Sequence, residues 1–396
     1  MGDGTNTEAN VPVRVRQVGD MKYGKIIDIF AAQFHSCVLT ELSGVRKVYC
    51  WGSNEKGQLG NGQYGAHKYS AVPVEVGGDI VGKNVTAIGG TGDVSCAIAD
   101  GKIYCWGNNY EGELGHNAPR HPTLSPDPVP VATGGDPYWR LQPGYKAVKL
   151  STSGSRSQTM CAIMDTGIAY CWGQAIFGQT GSTAFSPHYN YGRPVRVTGI
   201  SNVTDISQDG YSYEATHLAS HYSRATHVCA IASGKVYCWG GAENGQSGAS
   251  AYDDLTYKTY VVPKEVKGLP GVPKRVAVGL GHSCALVELS GGKHKVYCWG
   301  GNEFGQLGES ANKGSSSLPY SRTPRPVYVG TNGLPPSEDV VTLAAGANRG
   351  CAIMTNKRAY CWGLNTDGQI GDGTHENRFS PTESLFLRPT QNRYIY

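Results

Sequence analysis

Twelve cysteines, 11 histidines and 24 tyrosines are the residues of this 396-residue chain with distinctive chemistry. The cysteines fall into six pairs: Cys37 with Cys50, Cys96 with Cys105, Cys161 with Cys171, Cys229 with Cys238, Cys284 with Cys298, and Cys351 with Cys361. The second member of each pair always sits in the tetrad Tyr-Cys-Trp-Gly, at 49–52, 104–107, 170–173, 237–240, 297–300 and 360–363. Zinc ligation needs four ligands converging on one point, and each pair belongs to a separate repeat. Burial as small apolar residues is the other alternative to bridging. The spacing favours disulfides. In Cys96–Cys105 a two-residue Asp100-Gly101 turn, a preferred hairpin connection, sets the cysteines opposite one another. Ser233-Gly234 does the same for Cys229 and Cys238, and the three-residue loop at 165–167 for Cys161 and Cys171. The longer loops of the first and fifth units still oppose Cys37 to Cys50 and Cys284 to Cys298. Opposed residues of a non-hydrogen-bonded antiparallel pair lie about 4.5 Å apart at Cα, at the short end of the bridging range.

Persistent disulfides imply an oxidising compartment. Residues 1–10 are polar and lack the apolar stretch of a signal peptide, so the expectation is a secreted or periplasmic chain whose signal has been removed. A net charge of +4 with pI about 8.3 and no Lys/Arg run gives no sign of a nucleic-acid partner. No apolar run approaches the about 18 residues of a membrane-spanning helix, so no membrane insertion is expected.

Catalytic chemistry has little support. His35, His227 and His282 each lie two positions before a paired cysteine and read as structural. His217 and His221 have the i, i+4 spacing of a helical metal pair, but no neighbouring Glu or Cys completes a site. They are weak metal candidates. No Gly-x-Ser-x-Gly elbow, His-Glu-x-x-His or phosphate-cradling loop is present. No catalytic residue and no cofactor are expected.

The elements that position these residues follow from the repeat. Each unit has an apolar run, a Cys-apolar-apolar strand, the Tyr-Cys-Trp-Gly strand, a Gly-x-x-Gly turn and a Pro-bearing, valine-rich strand. Pro suits an outer edge, where a missing N–H breaks no ladder bond. Four short strands per unit, with 55 glycines for turns, indicate an all-β array. Such units bury both faces by radial stacking, as a β-propeller. Six sets of inner strands predict a six-bladed propeller of four-stranded antiparallel blades, seven being less favoured. The repeat runs without a linker, so residues 1–396 read as one domain. Residues 2–15 and 371–385 both resemble a repeat's tail, giving seven outer-strand candidates for six blades. Closure by the N- and C-terminal outer strands is expected.

The run Gly52-Ser-Asn-Glu-Lys-Gly-Gln-Leu-Gly60, and again Gly301-Asn-Glu-Phe-Gly-Gln-Leu-Gly308 after Trp299-Gly300, resembles the regulator-of-chromosome-condensation repeat. The resemblance covers nearly the whole chain, with Gly178-Gln-Thr-Gly181 and Gly245-Gln-Ser-Gly248 as degenerate copies. It implies a propeller of secreted, cysteine-paired, bacterial type. Similar bacterial propellers include an inhibitor that docks aromatic-bearing loops onto an enzyme.

Stretches that depart from the repeat are 62–70, 117–127, 133–145, 182–193, 209–226, 250–260 and 309–323. Only six of the 24 tyrosines belong to the tetrads, and the inserts are rich in the rest. Tyr with Ser, Gly and Asn is the composition of recognition loops. Candidate contact residues are Tyr138, Trp139, Tyr189, Tyr191, Tyr211, Tyr213, Tyr222, Tyr252, Tyr257, Tyr260 and Tyr320, expected around one face. The resulting expectation is a non-catalytic, monomeric binding module for a protein partner, with enzyme inhibition as a sub-reading. Carbohydrate binding through aromatic stacking is a second reading, and an enzyme with a metal site at His217 and His221 a third.

Overall fold

The structure, a computed structural model, describes residues 1–116, 123–133, 141, 144–155, 157–183, 191–210, 226–249, 258–310 and 319–385. Their strands form six antiparallel sheets of four, each ordered as the chain runs. The result is a six-bladed β-propeller, with blades at 25–75, 85–130, 147–196, 203–265, 272–326 and 340–383. Among the described residues, helix is confined to two 3-10 turns, Gly19–Lys22 and Gly78–Ile80. Within a blade, strands are numbered from the central channel outward.

In every blade the second and third strands pair so that cysteine faces cysteine. All six disulfides form, each with Cα atoms 4.1 Å apart. The register survives different loop lengths because extra residues extend both strands of the hairpin together.

The outer strands share a second regularity. In blade 1, Cys50 opposes Val74 and Gly52 opposes Ser70, so three fourth-strand residues face one residue, Trp51. The same slip recurs in the other five blades. The last of the three bulged residues is always proline: Pro73, Pro128, Pro194, Pro263, Pro324 and Pro381. A bulge leaves backbone groups outside the ladder, so proline is accepted there as well as at an edge.

The tryptophan facing each slip ties one blade to the one before it. Trp106, Trp172, Trp239, Trp299 and Trp362 are fully buried. Each indole N–H donates to a carbonyl of the preceding blade, at Gln58, Glu113, Gln179, Gln246 and Gln306, over 2.7–3.0 Å. The ring lies on the glycine two residues further on. A Cβ at Gly115 would stand 2.8 Å from Trp172 Nε1, and its φ of +64° also selects glycine. The last glycine of each of the first five Gly-x-x-Gly turns is therefore the floor of the next blade's tryptophan pocket.

The apolar core lies between blades, as separate clusters at the 1–2, 2–3, 3–4, 4–5 and 5–6 contacts. A polar belt runs around the channel. The Asp28 carboxylate accepts from Ile88 N–H of the next blade and Asp205 from Val276 N–H. Lys149 pairs with Asp205. At one mouth the turn between the first two strands of blade 3 lies across the channel. There the buried Asp209 accepts from Ser153, Ser155 and Ala347 N–H, joining blades 3, 4 and 6. Burial pushes the Asp209 carboxyl above its ordinary value.

Candidate binding face

An antiparallel four-stranded blade sends its first-to-second and third-to-fourth connections out at one end. The flanking strand ends place five inserts (62–70, 117–127, 182–193, 250–260 and 309–323) at third-to-fourth connections and 209–226 at a first-to-second connection. Six of the seven inserts thus leave from the same face. The seventh, 133–145, joins the fourth strand of blade 2 to the first of blade 3 and belongs to the opposite face. Tyr138 and Trp139 fall within that insert and lie outside the described residues.

Phe34, Tyr64, Tyr69, Tyr110 and Tyr320 are exposed on the loop face. Phe34 stands between two adjoining cavities. One, of about 630 Å³, is lined by Tyr110, Glu55, Lys56, Asp93, Glu111 and Glu113 among others. The other, of about 550 Å³, includes Tyr69, His67 and Asn6. Four carboxyl groups against one lysine make the larger cavity acidic in composition.

Glu113 is the unusual member. The other five copies of the Gly-x-x-Gly turn carry glutamine at this position, each with its amide oxygen accepting the backbone N–H two residues earlier. Glu113 keeps that bond, accepting from Glu111 N–H at 2.8 Å, and also accepts from Asn108 Nδ2 at 2.7 Å. Burial nevertheless pushes its carboxyl up to about 8. The unfolded chain gives up this proton near its ordinary value of 4.5, whereas the folded protein keeps it to about 8. Stability therefore falls as pH rises through that window and levels off above it. Glu113→Gln removes the titration, so its thermal midpoint should gain on wild type progressively from about pH 5 to about pH 8. Midpoints that run parallel across the window would show that the Glu113 proton is not held.

The conserved spacing of histidine before cysteine has a structural use. The Ser95 hydroxyl donates to Gln58 O at 2.9 Å and meets His35 Nε2 at 2.7 Å, an arrangement that joins blades 1 and 2. Ser283, Gln246 and His227 repeat it between blades 4 and 5. Burial pulls His35 and His282 down to about 4, which keeps both neutral.

Of the contact residues expected from sequence, Tyr320 is exposed at the start of the fourth strand of blade 5. Tyr191 opens the fourth strand of blade 3, opposite Gly173. Tyr260 is not a surface residue. It pairs opposite Gly240 and is buried in the core between blades 3 and 4, so it packs the scaffold. Tyr138, Trp139, Tyr189, Tyr211, Tyr213, Tyr222, Tyr252 and Tyr257 lie outside the described residues, as do His217 and His221. Among the described residues no group of three His, Cys, Asp or Glu is placed to hold a metal ion, and no helix is long and apolar enough to cross a membrane. Phe34, Tyr110 and Glu113 were not singled out by the sequence reading. The one replacement of Gln by Glu in the Gly-x-x-Gly copies was the signal for Glu113.

Radially stacked, disulfide-bridged blades with loops gathered at one end define a repeat propeller. The chain belongs to the regulator of chromosome condensation (RCC1) repeat family, whose sequence pattern matches residues 47–98, 100–137, 233–286, 293–353 and 357–391. A second pattern of the same description matches 26–58, 274–306 and 340–369. The chain is 24% identical to the ultraviolet-B receptor UVR8 of Arabidopsis thaliana over 376 residues, 94% of this chain and 73% of that protein. Human WBSCR16 superposes with a TM-score of 0.73 at 21% identity, over 96% of this chain and 85% of that one. Prp20p of Saccharomyces cerevisiae, solved in a study of its binding to Gsp1p and histones, gives 0.69 at 20% identity, over 92% and 77%.

Proposed function

We propose that this protein is a non-catalytic binding module that presents its loop face to a protein partner. The observation that carries this reading is the set of exposed rings, Phe34, Tyr69 and Tyr110, around two adjoining cavities on that face. Aromatic side chains give large contact area and dominate protein interfaces. The repeated residues offer no competing chemistry, since the cysteines are all bridged and the inter-blade histidines are buried. Six disulfides suit an oxidising compartment, and the proposed setting is secreted or periplasmic. The protein-binding behaviour described for Prp20p supports a protein rather than a small molecule as the partner class.

Binding should weaken when the rings are shortened. Phe34→Ala and Tyr110→Ala each remove a ring beside the acidic cavity, and a central interface aromatic is worth about 2 kcal/mol or more. The expected loss is therefore on the order of 30-fold in Kd for each. Titration calorimetry against the captured partner measures it. Unchanged affinity in the double variant would move the interface elsewhere. If the partner is an enzyme, its inhibition should weaken in step with Kd.

A further inference from the structure

The covering of equivalent residues differs in one place around the ring. On the first strand, Ile29 is 61% exposed, while Ile88, Leu150, Ile206, Val276 and Leu343 at the same register are at most 4% exposed. All six line the central channel, so the channel does not account for the difference. On the second strand of blade 6, Ile353 is 43% exposed, while Leu39, Ile98, Ile163, Ile231 and Leu286 are at most 4% exposed. The Cys351–Cys361 bridge is also less covered than the other five. Each blade elsewhere covers its neighbour's face. Between blades 6 and 1 that cover is incomplete: Val15, Val18 and Met21 pack on Val38, Tyr49 and Trp51 of blade 1, while Ile26 and Ile29 on its first strand and Ile353 of blade 6 stay exposed.

The outer boundary of this gap is already built. Gly57, Gly178, Gly245 and Gly305 each lie against the fourth strand of the following blade, at Pro126, Val261, Arg322 and Phe379. Gly368 of blade 6 lies in the same way against Asn10. Gly2 lies on Trp51 as Gly60 does on Trp106, and Gly4 N–H donates to Ala71 O as Gly62 N–H does to Pro126 O. The N-terminal residues therefore occupy the outer-strand place of a seventh blade position. The turn at Gly19–Lys22 covers the second strand of blade 1, and among the described residues the innermost place, beside Ile29 and Ile353, is open.

We propose that this gap is a docking slot for β-strand chain, and that its occupant is the protein's own segment 386–396. The segment continues directly from the outer strand of blade 6, which ends at Glu383. Links 197–202 and 266–271 suffice elsewhere to pass from one blade's outer strand to the next blade's innermost strand, and 384–396 is longer than either. Its residues Tyr394, Ile395 and Tyr396 bring ring and aliphatic surface to a place bounded by Ile26, Ile29 and Ile353. Burial of such side chains drives the docking.

A photo-crosslinking residue, benzoylphenylalanine, placed at Ile29 or Ile353 tests the slot without disturbing a buried position. Irradiation of the full chain should join both positions to the peptide 386–396, identified by mass mapping. Hydrogen exchange adds a second reading. In a chain ending at Leu385, amides of Lys25–Ala31 and Arg349–Met354 should exchange about tenfold faster or more than in the full chain. Crosslinks to a second copy, to another protein or to no protein residue would overturn the assignment, as would exchange unchanged by truncation. Loop-face binding does not enter either readout, so this test and that of the proposed function fail independently.

Discussion

Full reduction should unfold the protein at room temperature. The six bridges span sequence separations of 9 to 14 residues. The chain-entropy relation assigns about 2.5 kcal/mol to a loop of that size, an upper figure because tight hairpins are already local. Six such terms sum to the order of 10 kcal/mol, comparable to the whole stability of a typical folded domain. A repeat propeller has little to offset the loss, because its core is divided among inter-blade clusters instead of being pooled in one. Circular dichroism of the reduced, alkylated chain should show loss of native sheet and no cooperative thermal transition. A reduced chain that keeps a cooperative transition within a few degrees of the oxidised one would mean that the bridges decorate an already sufficient fold.

The second large effect is expected at the inter-blade tryptophans. Trp299 is fully buried, donates to Gln246 O at 2.9 Å and packs over Gly248. Trp299→Ala leaves a large cavity, removes one donor from Gln246 O while the Ser283 hydroxyl remains, and loosens the contact between blades 4 and 5. Truncations of this type lose about 3–5 kcal/mol, more than any single bridge should. Urea unfolding of the variant beside a Cys229→Ala/Cys238→Ala double variant should rank them in that order. The reverse ranking would show that the hairpins, and not the contacts between blades, limit stability.

These two effects involve the parts of the molecule most legible in the sequence. Cysteine register follows from turn length, because a two-residue Asp100-Gly101 turn fixes which residues oppose one another. The prolines were legible as outer-strand residues, but their shared place in a bulge was not. That place depends on the tryptophan opposite, which lies some 20 residues away in blade 1. Tyr260 was misread because departure from the repeat was taken as a mark of exposure. Strand pairing carries it inward, over a glycine on the neighbouring strand. Phe34 and Tyr110 failed to stand out for the opposite reason. They sit in turns that belong to the repeat, and only the tertiary arrangement shows that these turns border a shared cavity. The gap between blades 6 and 1 was legible only as a surplus outer strand. Its apolar walls emerged when equivalent side chains could be compared for burial.

The account rests on a division between a bridged, chemically quiet scaffold and an interacting loop face. Quantitative affinity capture from the native source tests it most directly, using wild type, a Phe34→Ala/Tyr69→Ala/Tyr110→Ala variant and a Tyr23→Ala control. Tyr23 is exposed just before the first strand of blade 1, at the opposite end from the loop face. The account predicts a protein captured by wild type and by the control but at least about tenfold depleted with the loop-face variant. Equal capture by the loop-face variant, or loss with Tyr23→Ala instead, would contradict it.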